Sequence, residues 1–322
     1  MSIVGTCAGP CPLAEAKERA KMQELSKYEI APYVPVKKYR RSAAGSRIRR
    51  EDVRPVHVLV TTTQYLLTLL PNDLTLPIDL YHFLDNRFRA IRSDLTLQGA
   101  ESVEVLAPIA RFYILAQCVL RHHETPATFA ALRKLLEDQL FSVLLLVRDA
   151  SMEFQRDYLL LHQDAPDFAY QLRHCARRPH SSWSETLQLC TPGSNHIRGP
   201  ARNVFHRAMH FGRLERQLHE QMQILAKAYT KQDRFPVADL ARFLRLPDEA
   251  SARLLLEGYT IPVVPADGAE PAFFRFNEAP LPEMCDTVAM AAVLAIEFTQ
   301  IVALTGNQDF ASLVLTGWKP TE

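Results

Sequence analysis

Leu84, Phe88, Ile91, Leu95 and Gln98 recur at steps of four, three, four and three along the stretch YHFLDNRFRAIRSDLTLQ, Tyr81 to Gln98. That spacing predicts an amphipathic helix whose seam packs against other elements. Asp85, Arg89 and Arg92 follow the same rhythm on a neighbouring stripe. Asp85 and Arg89, four apart with the acid nearer the N-terminus, support a helix by only ~0.5 kcal/mol when exposed. Support within the helix is therefore a weak reason for Arg87, Arg89 and Arg92 to stand so close together.

A chain of 322 residues, 48% hydrophobic and 23% charged, has the length and composition of a globular protein with a sizeable core. Its 37 Lys and Arg balance 36 Asp and Glu, so any nucleic-acid surface must be a local patch. Glycine is scarce, with 11 residues, and alternating strand patterns are rare, which predicts an all-α body. Six scattered cysteines and the lack of an apolar leader pattern point to a reducing intracellular compartment. Only Val288 to Leu304 resembles a membrane span. It carries Glu297 and Gln300 and falls short of the ~20 apolar residues a bilayer needs, so no membrane is expected.

Shifts in composition divide the chain at 1–52, 53–232, 233–280 and 281–322. The first segment opens with Gly5-Thr6-Cys7-Ala8-Gly9-Pro10-Cys11-Pro12, continues as a helix from Leu13 to Tyr28, and ends in a basic run. A helix from Pro55 to Leu70, with Val56, Leu59, Val60 and Leu67 inward, precedes the Tyr81–Gln98 helix. Two apolar-periodic helices then meet at Glu124-Thr125-Pro126, a connection short enough to make them antiparallel neighbours. Residues 165–200 give no firm pattern, and a helix follows from Ala201 to Lys231, bending at Gly212. Short helices at Val237–Leu244 and from Asp248 to Glu257, then a hairpin between Ile261 and Phe276, spell a winged-helix pattern. A helix from Thr287 to Thr305 packs back on the body.

The run FLDNRFRAIRSDLTLQ resembles the hallmark helix of the GANP family of scaffold proteins, matching at Arg87, Arg89, Ala90, Ile91, Arg92, Asp94 and Gln98. The family's Trp-Asp falls on Asp85-Asn86. Gly5, Thr6, Cys7, Cys11, Pro12 and Glu15 match its opening element, and Arg54-Pro55, Ala110-Arg111-Phe112 and Glu153-Phe154-Gln155 resemble further ones. The resemblance implies a superhelical array of antiparallel helical hairpins, PCI- and TPR-like, ending in a winged-helix module. It also implies a non-catalytic nuclear scaffold for messenger-RNA export that docks a PCI-domain protein and a small acidic Sem-type protein. Partner contacts are then expected at Arg87, Arg89, Arg92 and Asp94, and at Arg242, Phe243 and Arg245. Residues Lys38 to Gly45 resemble short members associated with the centrosome and spindle, which gives an alternative role and location.

Nucleotide-binding and hydrolase signatures are missing, and neither His206 with His210 nor Cys118 with His122 has a third ligand at fixed spacing. No metal, cofactor or catalytic residue is expected; an enzyme with an unadvertised site in a helical groove is the minority alternative. His122-His123 is read as a pair of helix-end imidazoles favoured, when protonated, by the dipole. The charge concentrated in Lys37, Lys38, Arg40, Arg41, Arg47, Arg49 and Arg50, with Tyr39 among them, is the segment to assign to RNA if nucleic acid binds.

Overall fold

The computed structural model describes residues 3–41, 48–124, 126–163, 165–176, 203–244, 246–268, 270–276, 280–281 and 287–318. Helix makes up 65% of it, consistent with the expected all-α class. In chain order the described helices are α1 (Leu13–Lys21), α2 (Val56–Leu67), α3 (Ile78–Gln98), α4 (Val103–His123), α5 (Pro126–Val147), α6 (Met152–Leu161), α7 (Phe168–Ala176), α8 (Val204–Ala228), α9 (Val237–Leu244), α10 (Glu249–Gly258), α11 (Thr287–Thr305) and α12 (Phe310–Thr316). Three two-residue strands are β1 (Phe235–Pro236), β2 (Val263–Val264) and β3 (Phe273–Phe274). The chain forms two compact units, one of residues 1–120, 133–155 and 307–321, the other of residues 121–132 and 156–306.

In the first unit α3 is the spine. Leu84, Phe88, Ile91 and Leu95 are buried as their rhythm requires. Gly99, at φ +57°, closes the helix in the left-handed conformation that glycine adopts without steric cost, and Ala100 N–H returns to Leu95 O. Aromatic rings fill the space beside it, with Phe88 against Phe112 at 5.1 Å and Phe112 against Tyr113 at 5.4 Å between centroids. Residues 3–41 and 48–52 are built into this unit: Thr6 N donates to Arg50 O at 2.9 Å and Cys7 N to Val53 O at 3.0 Å.

Three local expectations need correction there. The first helix stops at Lys21, before Gln23 at φ +58°, and Lys27–Glu29 forms a separate 3-10 turn. The helix α2 ends at Leu67 and turns Val58, Leu59, Leu66 and Leu67 inward, while Val56 and Val60 are half-buried. The short α12, capped by the Asp309 side chain accepting from Ser312 N, packs on α2 where only a tail was expected.

In the second unit α8 runs as a helix through Gly212. Then α9 and α10 follow at the expected places, with Asp248 accepting from Ser251 N to cap α10. The hairpin is present, because β2 pairs antiparallel with β3, Val263 opposite Phe274 and Val264 opposite Phe273. An unforeseen third strand, β1, pairs with the other side of β3, giving the order β1-β3-β2. Pro236 occupies an outer strand, where a residue without an N–H is tolerated. Phe235, Phe274 and Phe276 form the aromatic centre, with Phe274 and Phe276 4.9 Å apart. The helix α11 spans the expected residues and packs on α8 and α10.

Among the described residues α4 is the single helix long and apolar enough to cross a membrane, rather than the stretch at 288–304; 83% of its most apolar window is buried inside the protein.

Candidate interaction site

Asp94, on α3 beside the apolar seam and Gln98, is fully buried. Its carboxylate accepts from Lys37 Nζ at 2.6 Å, from Arg54 Nε at 2.7 Å and from Arg54 N at 3.3 Å. Arg54 also donates to Pro10 O at 3.2 Å. One turn further along, Gln98 donates through Nε2 to Arg54 O and accepts through Oε1 from Gly5 N at 3.2 Å. Gly5 is needed for this approach, since a Cβ there would lie 2.4 Å from Val53 O.

A second buried carboxylate, Glu29, accepts from Arg19, from Arg87 at 2.9 Å, from Val36 N at 3.0 Å and from Ser26 N at 3.1 Å. Burial alone would raise its pKa; the Arg19 hydrogen bond, the Arg87 charge and the two backbone donors together hold it below the usual carboxylate value. Arg19 in turn donates to Val36 O at 3.0 Å. Cys11 lies beside these charges, and burial pushes its thiol up to about 12, which leaves it an unreactive thiol at neutral pH.

These contacts change the meaning of the opening element and the hallmark helix. The first segment and the hallmark helix are clasped together: Gly5 bonds Gln98 and Lys37 bonds Asp94 directly, while Pro10 reaches Asp94 through Arg54, and Arg19 shares Glu29 with Arg87. Asp94 and Arg87, expected as partner contacts, lie inside, and Asp94 has no surface to offer another protein. Arg89 and Arg92 are half-buried; Arg89 lies over the Tyr39 ring at 4.3 Å and Arg92 donates to Gln139.

The two positions that depart from the family pattern have local accounts. Asn86 Oδ1 accepts from Tyr39 N at 3.0 Å and from Arg87 at 2.6 Å. Asp85 is buried and accepts from the Tyr113 hydroxyl at 2.8 Å; burial raises its pKa, against that hydrogen bond and the charges of Arg89 and Arg92.

The basic run is largely spoken for within the chain. Besides Lys37, Lys38 pairs with Glu24 at 4.0 Å, Arg40 with Glu18 at 3.9 Å, and Arg49 with Asp52 at 2.8 Å. Arg41 and Arg50 are exposed, and Arg47 lies outside the described residues. In the second unit Arg242 is exposed beside Asp239, and Phe243 is 40% exposed on the same helix. Arg245 is outside the described residues.

Between α10 and the start of β2 a cleft of about 390 Å³ is lined by Arg253, Glu257, Thr260, Ile261, Pro262 and Val263. The described residues gather no three His, Cys, Asp or Glu side chains able to hold a metal. His122 and His123 do end α4, as expected, but the surroundings of His122 do not favour its protonated form. His122 stacks on Phe298 with ring centroids 4.0 Å apart, and burial, with His123 beside it, lowers its pKa and favours the neutral ring. Sequence reasoning missed Glu29, Arg19 and Lys37 as parts of one structure, because their partners lie 10 to 58 residues away and no spacing rule joins them.

A profile of the SAC3/GANP family matches residues 10–265, a stretch that reaches into both units and holds the whole of the hallmark helix. The chain belongs to the SAC3/GANP family. It is similar to SAC3 family protein B of Arabidopsis thaliana, 34% identical over 126 residues, which is 35% of this chain and 7% of that protein. It is similar also to SAC3 family protein 1 of Schizosaccharomyces pombe, 33% identical over 129 residues, 36% of this chain and 12% of that protein. The matched stretch is thus a small part of each SAC3 relative's own length.

Proposed function

We propose that this SAC3/GANP chain is a non-catalytic scaffold, in which a PCI-like helical superhelix and a winged-helix module dock a PCI-domain protein and a small acidic protein in nuclear messenger-RNA export. One observation carries the reading: the polar residues of the hallmark helix, Arg87, Asp94 and Gln98, are used in buried contacts that tie it to the chain before it. Residues so used maintain a shape and hold no group poised for chemistry. Contact with a PCI-domain partner is assigned to the exposed α9 face at Arg242 and Phe243, whose mixed charge suits protein better than a phosphate stripe. Purification of a tagged chain from its native source, followed by mass spectrometry, is expected to recover a PCI-domain protein. Recovery of the chain solely as a monomer sinks the proposal.

A centrosome or spindle role is the second reading, favoured by the likeness of residues Lys38 to Gly45 to short family members. A tagged copy in dividing cells distinguishes the two: nuclear signal between divisions supports the first, and spindle-pole signal the second.

A further inference from the structure

We infer that Lys38, Arg40 and Arg41 form a receptor strip for an acidic peptide segment. The backbone of this strip is fixed, since Lys37 N donates to Pro10 O at 3.0 Å, Lys38 N to Glu15 at 2.8 Å and Tyr39 N to Asn86 at 3.0 Å. Its cationic side chains are not. Lys38 and Arg40 reach Glu24 and Glu18 only at 4.0 and 3.9 Å, with all four side chains between 42% and 56% exposed. Exposed pairs of that length contribute little and exchange readily. Carboxylates of an incoming segment can therefore replace Glu18 and Glu24 while the backbone stays in place, so little ordering entropy opposes binding. Arg41, exposed at the end of the strip, adds a further cation.

Carboxylate is favoured over nucleic acid for two reasons. The intrachain occupants of the strip are already carboxylates. Tyr39, the aromatic that would have to stack on bases, lies against the Arg89 guanidinium at 4.3 Å and is hydrogen-bonded through its backbone to Asn86. This inference deepens the scaffold reading by naming where an acidic partner sits, but its test uses purified protein and a synthetic probe, so it fails or survives separately from co-purification.

The test is fluorescence anisotropy of the full chain with a labelled twelve-residue polyglutamate peptide, and with a labelled twelve-nucleotide oligouridine, at low salt. Saturable peptide binding is expected. It should tighten about three- to tenfold in Glu18→Gln/Glu24→Gln, where the internal competitors are neutral, and weaken at least about tenfold in Lys38→Glu/Arg40→Glu. Both variants should keep the parent thermal midpoint, because the exchanged side chains are exposed. No saturable binding, no tightening in the glutamine variant, or oligouridine binding tighter than peptide through the same residues overturns the inference, the last in favour of a nucleic-acid surface.

Discussion

In the first unit Asp94 and Glu29 lie wholly inside the protein with Arg54, Lys37, Arg19 and Arg87 closed around them, whereas in the module of the second unit Arg242 with Asp239, Arg253 with Glu249, and Arg234 with Glu270 pair in the open. The same residue types do different work in the two settings. Buried, they join segments distant in sequence, and removing one partner strands a charge without solvent. Exposed, they are screened and contribute about 0–1 kcal/mol, and the module is held instead by Phe235, Phe274 and Phe276.

The contrast breaks or sharpens under substitution. Asp94→Ala leaves Arg54 and Lys37 uncompensated and is expected to cost about 3–5 kcal/mol in urea unfolding; a loss below about 1 kcal/mol would show that the buried cluster is no stronger than an exposed pair. Gly5→Ala forces a Cβ onto the Val53 carbonyl and is expected to cost about 1–3 kcal/mol. An unchanged denaturation midpoint there would mean that the opening segment is not anchored to α3.

Two buried acids should respond to pH in opposite senses. Glu29, with its pKa lowered in the folded state, contributes stability that is present above its unfolded value and lost as pH falls through the folded one. Asp85, with its pKa raised, contributes stability that is present below its unfolded value and lost as pH rises through the folded one. Unfolding free energy measured against pH should therefore lose part of its acid-side fall in Glu29→Gln, the rest coming from other acids with lowered pKa such as Asp79 and Asp233. In Asp85→Asn, whose amide oxygen still accepts from Tyr113, the decline with rising pH should flatten. Curves identical to the parent in both variants would refute the assignment.

The smallest effect belongs to the module: Arg242→Ala should change stability by less than about 0.5 kcal/mol while weakening capture of a PCI-domain partner in pull-downs. A large loss of stability would place Arg242 in the fold rather than on a docking face.

What could be read in advance follows from the range of the forces involved. The seam of α3, the spans of α9 and α11, and the β2–β3 hairpin are short-range patterns, and periodicity and turn residues exposed them. The strand β1 was invisible, because Phe235-Pro236 is too short to alternate and proline argues against a strand. Seven-residue α12 offered too few turns to show a rhythm. Arg87 and Asp94 of α3 read as partner-facing residues, since Glu29 stands 58 residues from Arg87 and Lys37 57 from Asp94. Motif resemblance pointed to Asp94 and Arg87 as partner contacts, and both are buried inside the protein.

The hydrogen bond from Gly5 to Gln98 spans 93 residues of chain. On a ribosome adding about 5–20 residues per second, the opening segment therefore waits several seconds or more before the helix that receives it has been made. Throughout that interval Glu29 lacks Arg87, and Lys37 lacks Asp94. Contacts on the N-terminal side of α3 thus depend on later synthesis to be completed.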